Sequence, residues 1–301
     1  MSAKTILVGT RGSKLALAQT KQVIQRLNEL DTELYFETCV IKTKGDQGQI
    51  NELGAFIKEL EKALIRKEVD IAIHSLKDMP VDVPEELVIA GVTEREDVRD
   101  ILVLDKTVPF KELAAGNVIA TGSPRRQMLL KDLNPNVQLT FIQGNVDSRI
   151  AAVRSGKVNG VVLALAGLKR LNITNEISEY FSIEDVLPAP GQGAVAIETR
   201  TEATDLIQLV NQVTHRPTYW GVKTERMLLR KLGGGCLRPI GAYAMCPMPT
   251  SIELKAFYGY TKDHKINKFD ITFEIKDIHV ALEKASDHLL NNYAETEIQT
   301  T

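Results

Sequence analysis

The sequence predicts an α/β protein made of two sheet-and-helix units and a smaller α+β unit. Three observations carry this expectation. The chain has 301 residues, too many for one core at ~100–150 residues per domain. Short β-branched runs alternate with amphipathic helical stretches, and the alternation restarts near residue 100. Beyond residue 217 the texture changes to a helix, a glycine run and longer strands. With 44% apolar and 25% charged residues, the composition excludes a disordered chain, a coiled coil and a collagen-like repeat.

Residues 6–10 are a short apolar run ending at Gly12-Ser13. A helical pattern follows, with Ala16, Val23, Leu27 and Leu30 on one face. Residues 34–41 read as a strand, and Phe56, Ile57, Leu60, Ala63 and Leu64 form the stripe of a core-facing helix. Residues 69–73 and 87–92 are further strands, so the first unit is expected to hold a parallel sheet covered by helices. The second unit shows strands at 101–104 and 118–120, a helix at 125–133, a strand at 139–142, a helix at 146–153 and a buried strand at 160–165. The charged stretch 93–100 (TEREDVRD) and Leu187-Pro188-Ala189-Pro190-Gly191 read as crossings between the units. Two crossings imply two domains with a cleft between them. After His215-Arg216-Pro217 come a helix at 222–232, strands at 252–258 and 269–275, and a helix near 280–290.

Lys and Arg number 37 against 39 Asp and Glu, a net charge of −2. No global field draws nucleic acid or an anionic membrane, so any anion site must be local. The longest near-apolar run, residues 160–168, falls far short of the ~20 residues of a membrane span. The opening residues contain no apolar signal segment. Cys39, Cys236 and Cys246 form no Cys-x-x-Cys pair, and the five histidines have no zinc spacing. A cytoplasmic protein with reduced thiols is the expectation.

Ser123-Pro124-Arg125-Arg126 combines an N-cap serine, a proline suited to the first helical position and two arginines in the first turn. Cations are disfavoured there, and a bound anion resolves the conflict. Arg11-Gly12-Ser13, Gly144-Asn145 with Arg149, and Gly167-Leu168-Lys169-Arg170 repeat the theme at other strand–helix junctions. A solvated arginine is the plain reading at any one junction, whereas their recurrence in two units points to a polyanion. Asp78, in His74-Ser75-Leu76-Lys77-Asp78-Met79-Pro80, is either a turn residue or a carboxylate serving a developing cation. Cys236, after Gly233-Gly234-Gly235, is either a small buried hydrophobe or a thiol on an open loop fit for covalent attachment.

Together these segments resemble the porphobilinogen deaminase (hydroxymethylbilane synthase) family. The resemblance rests on Thr10-Arg11-Gly12-Ser13-Lys14-Leu15-Ala16, Thr43-Lys44-Gly45-Asp46, the segments around Lys58-Glu59-Leu60-Glu61 and Lys77-Asp78, and Glu94-Arg95-Glu96-Asp97. Arg125-Arg126, Gly144-Asn145-Val146-Asp147-Ser148-Arg149, Ala166-Gly167-Leu168-Lys169-Arg170-Leu171, Pro190-Gly191-Gln192-Gly193-Ala194 and Gly234-Gly235-Cys236 continue it in order. The resemblance implies two domains like type II periplasmic binding proteins around a cleft, residues 1–93 with 194–213 and residues 98–188, plus a small α+β domain at 216–301. It implies a monomer that condenses four porphobilinogen molecules head to tail with loss of ammonia and releases the linear tetrapyrrole by hydrolysis. The chain would grow on a dipyrromethane cofactor held by a thioether to Cys236. Asp78 would be catalytic, stabilising the cationic azafulvene left by ammonia. Arg11, Lys77, Arg125, Arg126, Arg149 and Arg170 would hold pyrrole carboxylates, with Ser13, Ser75, Thr121, Ser123, Gln143, Asn145 and Gln192 adding neutral hydrogen bonds.

The sequence departs from the family pattern in places. Gln143 stands where arginine is usual, the stretch 47–55 is shorter than the family's lid, and Leu53 replaces a common lysine. Gly233 replaces a frequent glutamate, and Leu237-Arg238 a frequent Gln-Val, which makes Arg238 a candidate for a lost cation. The competing expectation is a degenerate member that binds a pyrrole or another polycarboxylate without polymerising it.

Overall fold

The computed structural model describes residues 5–30, 33–42, 57–106, 108–234 and 238–291. They fall into two compact units, Met1–Glu96 with Gly193–Tyr219, and Asp97–Gln192 with Trp220–Thr301.

In the first unit, strand β1 (Thr5–Thr10) leads into helix α1 (Lys14–Asn28). The Ser13 hydroxyl caps α1 by accepting the Ala16 N–H at 3.2 Å. Ala16, Val23 and Leu27 are buried as the helical stripe requires, but Leu30 lies beyond the helix end and is 44% exposed. Strand β2 (Tyr35–Val40), helix α2 (Lys58–Ile65) and strand β3 (Ile71–Ser75) follow. Ile57, Leu60, Ala63 and Leu64 are buried, while Phe56 lies outside the described residues. A 3-10 turn, Leu76–Asp78, ends β3, and strand β4 (Leu87–Val92) follows.

The second unit begins with strand β5 (Asp100–Leu104) and strand β6 (Val118–Ala120). Helix α3 (Pro124–Leu133) is capped by Ser123, with Pro124 in its first turn. Then come β7 (Gln138–Thr140), α4 (Val146–Arg154), β8 (Gly160–Ala164), α5 (Leu165–Arg170) and β9 (Glu179–Tyr180). Strand β10 (Val195–Arg200) and helix α6 (Thr204–Val213) return to the first unit. Helix α7 (Arg216–Lys231) starts earlier than its apolar pattern indicates, because Pro217 costs no hydrogen bond in a first turn. Strands β11 (Ile240–Met248), β12 (Ser251–Tyr260) and β13 (Lys265–Glu274) form an antiparallel sheet, and helix α8 (Ile278–Asn291) closes the described chain.

The strand order is β2-β1-β3-β10-β4 in the first unit and β7-β6-β8-β5-β9 in the second. The two five-stranded sheets therefore share one topology, as the family resemblance implies. The expected parallel sheet is corrected to a mixed one. β10 runs antiparallel to β3 and β4, and β5 antiparallel to β8 and β9. The physical reason is common to both: each reversed strand enters its sheet from a crossing, without the helical return that makes neighbours parallel. One edge of each sheet consequently gathers strand ends. In the first unit these are the C-terminal ends of β1 and β3 and the start of β10. In the second they are the C-terminal ends of β6, β7 and β8 and the start of β5.

Gly193, at the start of β10, has φ +89°, and a Cβ there would lie 2.4 Å from the Glu96 carbonyl, so no other residue fits. In the second unit the three-stranded sheet has its own core, where Leu228 of α7, Ile240, Ile252 and Leu254 of the strands, and Leu282 and Leu289 of α8 are buried together, as the expected small α+β domain requires. Phe257 of β12 is fully buried among Leu102, Phe110, Leu129 and Leu187 of the five-stranded sheet's core. The buried Glu225 of α7 accepts the Gly191 N–H at 2.6 Å and the Ala244 N–H at 2.7 Å, tying the second crossing to β11. Among the described residues no helix is long and apolar enough to cross a membrane.

Candidate active site

In the first unit, Arg11 and Ser13 follow β1, while Ser75 ends the neighbouring strand β3 and Lys77 and Asp78 follow it. Asp78 is exposed, and its carboxylate makes no hydrogen bond or ion pair with a described residue. Arg11, Ser13 and Lys77 are half-buried. Ser13 spends its oxygen lone pair on the α1 cap and keeps its hydrogen to donate. Ser75 is used internally, with its hydroxyl 2.9 Å from the Gln19 Nε2 of α1. Gln19 thus braces the strand end from which the Lys77-Asp78 turn departs.

Beneath that turn lies a buried acid–histidine group that the motif reading missed. His74 Nε2 is 2.9 Å from Glu198 Oε2 of β10, and both side chains are almost fully buried. Glu61 of α2 completes the group. Burial first, and then the Glu198 carboxylate, push its carboxyl above the usual range, while His74 and Lys58 pull the other way. His74 Nδ1, Glu198 Oε1 and Glu61 Oε1 are buried without a hydrogen-bond partner.

In the second unit the arginine conflict is resolved by an anion of the chain itself. Asp100, the first residue of β5, is fully buried. Its Oδ2 accepts from Arg125 Nη2 at 2.6 Å and Arg126 Nε at 3.1 Å, and its Oδ1 from Arg126 Nη2 at 2.7 Å and Gln192 Nε2 at 2.9 Å. Burial opposes this charge, but the two guanidiniums outweigh burial and hold the carboxyl well below the usual carboxylate range. Arg125 Nη1 also donates to the Leu187 carbonyl at 2.5 Å and Arg126 Nη1 to that of Val162 at 2.9 Å. Thr121 is fully buried, and its hydroxyl accepts the Ser123 N–H at 3.3 Å. Arg125, Arg126, Gln192 and Thr121 are thus buried in the unit, the first three hydrogen-bonded to Asp100. Asp100 was missed although a cue exists: two cations in one first turn need an acid, and the adjoining crossing is rich in acids.

The surface at that edge is supplied by others. Gln143 and Asn145 are exposed, and Ser123, Arg149 and Arg170 are half-buried. Asn145 occupies the N-cap of α4 without using its side chain as a cap, which leaves the amide available beside the first-turn N–H groups. Arg149 Nε donates to the Gly144 carbonyl at 2.8 Å, folding this guanidinium over the same turn. Arg238 donates to the Leu232 carbonyl at 3.3 Å and the Tyr258 hydroxyl at 3.2 Å, so it serves the C-terminal end of α7.

Cys236 lies outside the described residues, as do Thr43-Lys44-Gly45-Asp46 and the shortened stretch 47–55 with Leu53. Cys39 and Cys246 are half-buried thiols whose pKa burial pushes up, which disfavours the nucleophilic thiolate. Among the described residues no group of three or more ligating side chains offers a metal site.

Residues 6–208 match the family described as "Porphobilinogen deaminase, dipyromethane cofactor binding domain", and residues 219–287 match "Porphobilinogen deaminase, C-terminal domain". A protein of Thermus thermophilus named porphobilinogen deaminase is 46% identical over 243 residues, which cover 80% of each chain. One of the same name from Alkaliphilus metalliredigens is 35% identical over 303 residues, covering 99% of this chain and 96% of its own. Among solved structures, the methionine-binding protein MetQ matches 74% of this chain and 94% of its own at 13% identity and a TM-score of 0.48. Matched by both family domains in order and by relatives along nearly its whole length, the chain belongs to the porphobilinogen deaminase family.

Proposed function

We propose that this protein is a transferase that joins four porphobilinogen molecules head to tail, losing one ammonia each time, and releases hydroxymethylbilane by hydrolysis. The observation that carries the reading is Asp78, an exposed carboxylate with no partner among the described residues, on a turn flanked by Arg11, Ser13 and Lys77 at one sheet edge. An exposed carboxylate beside basic residues suits a ligand that is anionic at its rim and cationic at its reacting ring.

The residues present fit a covalent dipyrromethane. Cations and neutral donors suit its carboxylates, and Asp78 suits its pyrrole N–H groups. When bound through a thioether to Cys236, that group supplies the primer pyrrole from which the chain grows. Arg11, Lys77, Arg149 and Arg170 bind acetate and propionate carboxylates, with Ser13, Ser123, Gln143 and Asn145 donating neutral hydrogen bonds. Arg125 and Arg126 act through the field instead. Two guanidiniums against the single Asp100 carboxylate leave a net positive charge behind the α3 N-terminus. Asp78 accepts pyrrole N–H hydrogen bonds and stabilises positive charge on the substrate ring as ammonia leaves. The raised thiol pKa of Cys39 and Cys246 supports Cys236 as the attachment residue. The proposed enzyme works as a monomer in a reducing cytoplasm, where Cys236 remains a thiol until it is alkylated.

The test is turnover of porphobilinogen by wild type and Asp78→Asn, following substrate loss, ammonia and product. Wild type is expected to form hydroxymethylbilane. Asp78→Asn should keep its fold and cofactor yet lose ~10²–10³-fold in rate. Binding without product would leave a degenerate binder, and an Asp78→Asn rate within a few-fold of wild type would reduce Asp78 to a turn residue.

A further inference from the structure

We propose that Phe141 is a stacking platform for a pyrrole ring of the bound chain, a specificity residue that offsets the neutral Gln143 two positions on. The inference rests on the proposed function and deepens it. Phe141 directly follows β7 and is 61% exposed. Its ring is held in place from below. The Thr121 N–H donates to the Thr140 carbonyl at 2.9 Å, which draws the loop after β7 against the loop between β6 and α3. A Cβ on Gly122 would lie 2.8 Å from the Ile142 carbonyl and 3.4 Å from Phe141 Cε2. The absent side chain at residue 122 is what lets the ring edge rest on that backbone, beside Ser123 at the N-terminus of α3.

The position joins two kinds of recognition. The ring edge faces Gly122, the residue before the N-cap Ser123 of α3, and the chain beyond Phe141 runs through Gln143, Gly144 and Asn145 to the N-terminus of α4 and Arg149. A pyrrole with acetate and propionate arms carries an apolar π face and anionic edges, and it needs both. Phenylalanine has no polar atom, so it meets such a ring only by its face or edge. Where a charged side chain would grip a carboxylate, this chain presents a ring face with a neutral amide nearby. Binding is then spread over stacking and fewer charge contacts.

The test uses the cofactor-loaded enzyme with porphobilinogen as probe. Phe141→Ala should raise KM roughly two- to tenfold with kcat nearly unchanged, since a stack holds ground and transition states alike. Phe141→Tyr should behave as wild type, and Phe141→Leu as the alanine variant. Phe141→Trp adds a second indole to a chain whose one tryptophan is Trp220, and porphobilinogen should quench it saturably beyond the wild-type signal. Because the ring is mostly exposed, melting temperature should not move. Alanine and leucine variants with wild-type KM, or an unquenched tryptophan, would overturn the stack while wild-type turnover leaves the function intact. A wild type that never consumes porphobilinogen would overturn the function, and the stack with it.

Discussion

At the residue scale the informative side chains break a local rule. Arg125 and Arg126 occupy the first turn of α3, where cations are disfavoured, and Asp100 compensates them from inside. Asp100→Asn keeps the shape but leaves two buried guanidiniums without their anion. The expected cost is about 3–5 kcal/mol in urea unfolding. Because the folded carboxyl titrates below its ordinary 3.8, this contribution is present above that value and fades only as pH falls through the lower folded pKa. The loss should therefore be the same at about pH 5 and about pH 7; a loss much smaller at the lower pH would contradict the assignment. Gln143 is the second such residue. Gln143→Arg should tighten substrate binding by roughly 1 kcal/mol, because a guanidinium can grip a carboxylate with two charged hydrogen bonds. Since Arg238 is committed to the Leu232 carbonyl and Tyr258, Arg238→Ala should add to Gln143→Arg without coupling. Coupled KM effects in the double variant would show instead that Arg238 shares the carboxylate. The arginine motif was legible in the sequence, but its partner was not, since a hydrogen bond between residues 100 and 125 leaves no trace in spacing.

At the scale of elements, periodicity reported the pieces well. The stripe at Ile57, Leu60, Ala63 and Leu64 is buried, and the β-branched runs became β3, β4 and β8. Strand direction was not legible, because a run such as IAIHS reads alike parallel or antiparallel. Chain order decides it, through the crossings that deliver β5 and β10. The Glu61, His74 and Glu198 group was hidden for a related reason: its members come from α2, β3 and β10 and meet only after the sheet forms. That meeting has a measurable consequence. The folded Glu61 carboxyl titrates above its ordinary 4.5, so above that value the folded state holds a proton that the unfolded chain has released. Stability then falls as pH rises toward the folded pKa. Glu61→Gln cannot ionise and escapes the penalty. The variant should match wild type in acid and become progressively more stable above about pH 4.5, read as urea midpoints across a pH series. A constant difference at every pH would mean that Glu61 is charged in the fold.

At the scale of the molecule, one strand order is used twice, and each copy brings its candidate ligand groups to the edge where strand ends gather. That edge is where open α/β sheets bind ligands. The first unit offers the exposed Asp78, and the second offers donors at the starts of α3 and α4 backed by a buried positive cluster. A cofactor joined to the chain gives this arrangement its meaning, and intact-mass spectrometry of the freshly purified protein with peptide mapping tests that directly. The expected mass exceeds that of the sequence by two deaminated porphobilinogen units, all of it on the peptide carrying Cys236. An active protein of unmodified mass, or an adduct on Cys39 or Cys246, would contradict the account.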